Sequence, residues 1–259
     1  MDTLILRFDA PLISFGAPIV DSHGVIQPYP ALSMMTGLIG NALGIDHRES
    51  ERLERLQERL RYASRRDRKG RQIQDYQTVN LGAPYMDDKR AWTTRGTLET
   101  RKGGSASSGT HIRQRDYWAD AVHTIACTLD PADEAPTLEE VAAALREPAR
   151  PLFLGRKTCL PAGDLVVGRH TASSLVGALR HAPLHARADR RGDPDATYPA
   201  WWPADTDANV GTDARPNTTR RPVTDQRDWT NQIHVGERWI VRGDLHVRSA
   251  ASPSEHPTI

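Results

Sequence analysis

The sequence predicts an α+β fold, a ferredoxin-like (RRM-like) βαββαβ sheet with a long insertion and a small irregular and β-rich C-terminal region. Three observations carry this. Apolar stretches follow the order strand, helix, helix, strand, strand, helix. A run without period, residues 82–110, interrupts that order. Beyond Phe153 the composition turns to Gly, Pro and Asp, and clear strand character returns only near Arg238.

Residues 4–8 (Leu-Ile-Leu-Arg-Phe) read as the first strand, ended by Ala10 and Pro11, with a turn over 14–18 containing Gly16. Pro28 and Pro30 precede a helical apolar pattern over 31–44, for which Gly44 suits the C-terminal cap. Gly37 and Gly40 inside it cost about 1 kcal/mol each relative to Ala and point to a close approach by another backbone, such as a sheet. A charged helix is expected over 49–63, burying Leu53, Leu56 and Leu60, and 73–81 is expected to be extended. Strand character returns over 117–129. Thr137 with Glu140 three residues on forms a capping box for a helix running to Arg146, closed by Pro148 and Pro151. Residues 180–217 read as irregular, anchored by Tyr198, Trp201 and Trp202; 238–241 and 245–247 read as strands. The expected division is therefore an RRM-like domain over 1–159 with its insertion at 82–110, a β- and loop-rich region over 160–248, and a disordered tail over 249–259.

At 259 residues, 38% hydrophobic and 26% charged, the chain has enough apolar material for a real core. No run approaches ~18 apolar residues, so no membrane helix is expected. The first residues lack a basic-then-apolar export pattern, and a cytoplasmic protein is expected. Cys127 and Cys159 frame neither a disulfide scaffold nor a four-ligand zinc site. Phosphate-loop, dinucleotide, H-E-x-x-H and G-x-S-x-G motifs are absent, and the adjacent Asp87 and Asp88 do not make a metal site, so no metal and no cofactor are expected. Metal-independent cleavage of RNA remains as a catalytic alternative. It needs only a base and a cation near a 2′-OH, and Tyr76, Lys102, His111 and His123 are its candidates.

The net charge of +1 suggests indifference to nucleic acid, but the charges are not evenly mixed. Residues 47–71 hold ten Lys/Arg against five Asp/Glu, and residues 89–115 hold seven against one. Clustered cations bind phosphate through counterion release, although a solvated loop has the same composition. Trp92 among Lys89, Arg90 and Arg95, followed by Arg101 and Lys102, mixes a stacking surface with phosphate-binding cations. Arg113 and Arg115 alternate entering the next strand, so both point to one face. Phe153-Leu154-Gly155-Arg156-Lys157-Thr158 places two cations after a glycine turn, a combination suited to phosphate.

Several blocks, in order, resemble a known family. Residues 4–7 with Ala10-Pro11-Leu12-Ile13-Ser14-Phe15-Gly16 are similar to its opening strand and G-P-x-x-x-[WF]-G turn, with Ala10 in place of the usual Gly. Residues 36–44 (T-G-L-I-G-N-A-L-G) resemble its G-L-x-G-x-x-L-G helix. Residues 75–79 (D-Y-Q-T-V), 115–121 (R-D-Y-W-A-D-A) and 151–159 (P-L-F-L-G-R-K-T-C) resemble its D-Y-x-T-V, R-x-Y-L-x-D-A and P-x-x-L-G-R-[KR]-[ST]-C. The blocks span residues 4–159, and only 238–241 continues them. The chain thus resembles the type I-E members of the Cas-five family, subunits of the CRISPR surveillance complex Cascade. That resemblance implies an RRM-like fold of the repeat-associated (RAMP) superfamily and a non-catalytic, antiviral role capping the 5′ handle of CRISPR RNA. The 82–110 insertion would be the family's thumb. Backbone subunit CasC and large subunit CasA would be partners, and target DNA would be met only through the complex. Arg115, Arg156 and Lys157, with Tyr76, match positions expected near the handle. One subtype of the family cleaves precursor RNA, but in type I-E a separate subunit, CasE, does so, and no nuclease activity is expected here.

Overall fold

The computed structural model describes residues 1–17, 23–80, 90–92, 98–100, 110–205 and 218–247. The elements are, in order, β1 (Asp2–Asp9), β2 (Leu12–Ile13), β3 (His23–Gly24), α1 (Leu32–Ala42), α2 (Ser50–Arg59), β4 (Leu60–Arg68), β5 (Arg71–Asn80), β6 (Arg90–Trp92), β7 (Leu98–Thr100), β8 (Thr110–Ala119) and β9 (Val122–Leu129). There follow α3 (Leu138–Arg146), β10 (Val166–Thr171), α4 (Leu175–His181), β11 (Thr197–Pro203), β12 (Thr219–Val223), β13 (Gln226–Asp228), β14 (Ile233–Val235) and β15 (Arg238–His246). The architecture is mixed α and β.

Seven strands form one sheet in the order β10-β1-β9-β4-β11-β15-β12, antiparallel at every pairing. Helices α1 to α3 cover one face, where Leu4, Leu6, Phe8, Ile125 and Leu129 meet Met35, Ile39, Leu56 and Val141. The other face carries α4, whose Leu175, Val176 and Leu179 pack on Ile5, Ala63, Ala126 and Trp202. A second sheet is built around β8, which pairs antiparallel with β2 and β5 and parallel with β3.

Local signals are obeyed where the chain is locally satisfied. Thr137 and Glu140 form the capping box of α3 in both directions, and Gly44 takes the left-handed φ of +74° just past α1. Gly40 does mark a close approach, but to the Leu53 side chain of α2, 2.7 Å from where its Cβ would stand, rather than to a sheet. Ala31 gives α1 no side-chain cap, and Asp225 supplies one from far along the chain. Its Oδ2 accepts the Leu32 N–H at 3.0 Å, while Arg238 holds the carboxylate with bonds of 2.6 and 2.7 Å.

Four expectations need correction. The charged helix stops at Arg59 rather than running to 63, because residues 60–68 pair with β9 along their whole length. That strand, β4, is the second strand of the main sheet; residues 73–80 are extended but belong to the β8 sheet. Residues 117–129 are not one strand. Asp120, at φ +62°, breaks them into β8 and β9, which lie in different sheets. Within 180–217, residues 197–203 are not irregular: β11 takes a place inside the main sheet, burying Tyr198, Trp201 and Trp202. Residues 206–217 and the tail over 249–259 lie outside the described residues.

An arginine inside a sheet needs its charge answered. Arg65 is fully buried, and its guanidinium bonds to both oxygens of Asp67 and to the carbonyls of Leu179 and Ala182 at the end of α4. Asp67 also takes bonds from Arg7 at 3.0 Å and Thr124 at 2.8 Å. The basic excess of residues 47–71 is therefore partly spent within the fold, where carboxylates and carbonyls replace the water these groups lose.

Candidate nucleic-acid interface

β5 and β8 pair in unbroken register from Arg71↔Ala119 to Asn80↔Thr110, so they form the two arms that frame residues 81–109. Opposed residues share a face and neighbours along a strand alternate. One face therefore carries Ile73, Asp75, Gln77, Arg113, Arg115 and Tyr117. The other carries Gln72, Gln74, Tyr76, Gln114 and Asp116. At its base the hairpin is anchored by buried Tyr117 in the core. Further out it opens to solvent, with Tyr76 57% exposed and Arg113 exposed.

The alternation of Arg113 and Arg115 is thus realised. Their Cα atoms stand two strand positions apart, roughly 6.8 Å. The glycine turn delivers Arg156 to the same face, its Cζ 4.9 Å from the Tyr117 ring centroid. Three guanidinium groups consequently share one side of β8. Gly155 makes this possible: it adopts φ +109°, and a Cβ there would overlap the Ser14 carbonyl. Gly24, beside Arg115 in the register, has no side chain, and a Cβ would come within 2.5 Å of Arg156 Nη2.

Arg156 is not a free cation, however. Its Nη1 donates to the Asp116 carbonyl at 2.6 Å and its Nη2 to the Gly24 carbonyl at 2.8 Å. It locks β3, β8 and the turn together, and half-buried it still adds positive charge to the face. Lys157, next along, is exposed. Tyr76 does not join this group, because it lies on the opposite face of the hairpin. Arg90 and Trp92 belong to β6, paired with β7; Lys89, Arg95, Arg101 and Lys102 lie outside the described residues.

The back of the hairpin holds a polar cluster that sequence reading missed. Asp116 accepts from Gln72 and Gln74, each at 3.2 Å, and lies 3.0 Å from His23 Nε2. Burial opposes ionisation, but the bonds from His23 and the two glutamines hold the Asp116 carboxyl below its ordinary range. No short motif betrays this cluster, since its members come from three strands. Trp118 ties the same strand to the Gln27 carbonyl at 3.0 Å.

Of the nuclease candidates, the two whose side chains are described, Tyr76 and His123, are not brought together. His123 is buried in β9 of the main sheet, against Phe15 and 3.3 Å from Ser64 Oγ, whereas Tyr76 stands exposed on the hairpin. Burial, reinforced by Arg66, holds the His123 imidazole down to about 3. Burial pushes the Cys127 thiol up to about 12. The side chain of His111 and all of Lys102 lie outside the described residues. Among the described residues no cluster of His, Cys, Asp or Glu has the arrangement of a metal site, and no helix is long and apolar enough to cross a membrane.

The chain is similar to known proteins over most of its length. Residues 3–241 match the model of a CRISPR-associated protein family (Cas_Cas5). A curated relative, CRISPR system Cascade subunit CasD of Escherichia coli (strain K12), is 29% identical over 184 residues, covering 68% of this chain and 75% of the relative. Among solved structures, a chain of a CRISPR RNA-guided surveillance complex superposes with a TM-score of 0.61 at 25% identity, covering 98% of this chain and 95% of the other. A second, a crystal structure of a Cas protein, gives a TM-score of 0.61 at 24% identity with 95% of each chain covered, a likeness of fold.

Proposed function

The chain belongs to the CRISPR-associated Cas5 family, and from that premise we propose that it is the CRISPR RNA-binding subunit of a Cascade complex, capping the 5′ handle. The observation that carries the binding site is the alignment of Arg113, Arg115 and Arg156 on one face of β8. Exposed Arg113 and half-buried Arg115 present guanidinium groups at the spacing of alternate residues, and a third, Arg156, is pinned behind them by backbone carbonyls. Phosphate oxygens accept from such groups in pairs, which fixes direction as well as charge. Lys157 widens the positive field, and the arms of the hairpin lead this face into the 82–110 thumb, whose Lys89, Arg90, Trp92, Arg95, Arg101 and Lys102 would extend it along the strand. Tyr76 on the reverse face is placed for a base or a neighbouring subunit.

The strand order β10-β1-β9-β4, with crossovers through α1–α2 and α3, supports the RRM-like arrangement of the RAMP superfamily as the framework. We place the subunit in the cytoplasm, beside the CasC backbone and the CasA large subunit, with target DNA reached only through the assembly. The subunit is non-catalytic in this reading, supported by the burial of His123 away from Tyr76.

The test is co-purification from cells expressing the complex, followed by sequencing of the bound RNA 5′ ends. Arg113→Ala/Arg115→Ala should reduce recovery of handle-bearing RNA and flatten the salt dependence of handle binding. Unchanged recovery and an unchanged salt slope would reject this face as the handle site. Metal-independent cleavage of repeat RNA by the purified chain, lost on Tyr76→Phe, would reject the non-catalytic reading.

A further inference from the structure

Of the arginines in the main sheet, Arg7, Arg65, Arg68, Arg169 and Arg238 each lie within 4 Å of a carboxylate oxygen. Arg61, Arg66, Arg220, Arg221 and Arg242 meet none at that range among the described residues, and three of these, Arg66, Arg221 and Arg242, gather on one face. The register shows why. Arg242 on β15 is opposite Trp201 on β11 and Thr219 on β12, and Trp201 is opposite Ser64 on β4. Arg66 is two positions from Ser64, and Arg221 is two positions from Thr219. Opposed and alternate positions share a face, so all three arginines project from the same side of four consecutive strands.

Below them is an aromatic floor. Trp201, Tyr29 and Ile240 form a small buried cluster, with the two rings 5.7 Å apart. Arg66 Cζ stands 5.6 Å from the Trp201 ring centroid, and Arg221 Cζ stands 5.4 Å from that of Tyr29. Arg221 also donates to the Tyr29 hydroxyl at 3.0 Å. Arg242 and Arg221 are exposed. The Arg66 and Arg221 guanidinium groups each stand over a ring, which attracts them through the quadrupole and restrains them. Burial, and then repulsion from Arg242, hold the Arg66 guanidinium below its ordinary range, against the opposing pull of Asp189 and Asp244. Three cations against one carboxylate on this face, Asp244, which lies two positions from Arg242, leave a net positive surface that a multivalent anion would relieve.

The character of that anion follows from what else is on the face. Among the described residues no exposed large apolar side chain shares this face, since Trp239 of β15 lies on the opposite one by the same alternation. A protein partner would find cations but no apolar anchor of the kind that supplies most interface energy. A nucleic-acid strand needs no such anchor, because its phosphates alone release counterions on contact with each arginine. We propose that Arg66, Arg221 and Arg242 form a second nucleic-acid contact, a phosphate-binding platform on β4-β11-β15-β12, in a different sheet from the hairpin face.

The test uses the full chain carrying Arg113→Ala/Arg115→Ala, so that the hairpin face contributes nothing new, and long fluorescent oligouridylate as the probe. Adding Arg221→Ala/Arg242→Ala, at two exposed side chains, should lower the slope of log affinity against log salt by about 1.4, at about 0.7 per phosphate contact on a single strand. Across a roughly fourfold salt range the platform variant would then lose about sevenfold less affinity than its parent. Arg48→Ala, on a side chain 95% exposed and remote in sequence from the platform, controls for net charge. A slope that stays with the parent's overturns the proposal. So does polyglutamate displacing the probe as readily as unlabelled oligouridylate at equal charge, since that identifies a carboxylate-bearing protein as the occupant. The handle experiment on Arg113 and Arg115 alone stands apart from this outcome, so either face can fail without the other.

Discussion

Replacing His123 by Leu tests both the packing of the main sheet and the absence of a general base there. His123 is 1% exposed. Its imidazole is held down to about 3 against an ordinary 6.5, first by burial and then by the facing Arg66. Above about pH 6.5 the ring is neutral in both the folded and unfolded chain, so it exerts no pH-dependent effect. Below that value the unfolded chain takes up a proton that the folded chain refuses. The stability is therefore fully present above about pH 6.5 and is lost as pH falls toward 3. A full shift of about 3.5 pH units corresponds to about 5 kcal/mol, of which roughly 2 kcal/mol is already lost at about pH 5. His123→Leu removes this dependence and adds a constant cost of about 1 kcal/mol, from the lost bond near Ser64 and the ring contact with Phe15. Urea unfolding of both proteins at about pH 7.5 and about pH 5 measures it. The wild type should lose roughly 2 kcal/mol more than the variant between the two conditions. Contributions from His185 and the other histidines cancel in that difference. Equal losses would refute the reasoning, because they would mean the imidazole protonates as freely in the fold as in the unfolded chain. Handle RNA binding at neutral pH should be the same for both folded proteins.

Two further substitutions separate scaffolding from recognition. Arg156→Lys keeps the charge but loses the fork that reaches the carbonyls of Asp116 and Gly24. It should cost about 1.5–3 kcal/mol in thermal or urea unfolding while leaving the salt slope of handle binding unchanged; a changed slope at full stability would make Arg156 a direct phosphate ligand instead. Asp225→Asn leaves Arg238 facing an uncharged amide and weakens the borrowed cap of α1. It should cost about 3 kcal/mol, read as a lowered unfolding midpoint, and more than Asp193→Asn, whose carboxylate meets Arg190 and the Asp195 N–H at the surface.

What was legible in the sequence follows the range over which each signal is satisfied. The α3 cap closes within four residues, and Thr137 and Glu140 announce it without reference to the rest of the chain. The alternation of Arg113 and Arg115 is equally local, and it survives into the hairpin. β4 was illegible for the opposite reason. Its Arg-rich run has the composition of a helix surface, and it becomes a central strand only because Asp67 and the carbonyls closing α4, more than a hundred residues later, answer Arg65. The same holds for Arg156. The glycine turn before it is visible in sequence, but the space left by Gly24, 132 residues away, is what turns a candidate phosphate ligand into a brace. Local charge excess thus counts arginines without knowing which of them the fold has already neutralised. Once Arg7, Arg65, Arg68, Arg169 and Arg238 are set aside with their carboxylates, the arginines of the two sheets with no carboxylate within 4 Å among the described residues include Arg113 and Arg115 of the hairpin and Arg66, Arg221 and Arg242 of the β4-β11-β15-β12 face. A chain of net charge +1 could therefore offer phosphate two surfaces, because buried acids such as Asp67 and Asp225 are spent on Arg65 and Arg238 while the arginines of these faces meet no carboxylate within 4 Å among the described residues.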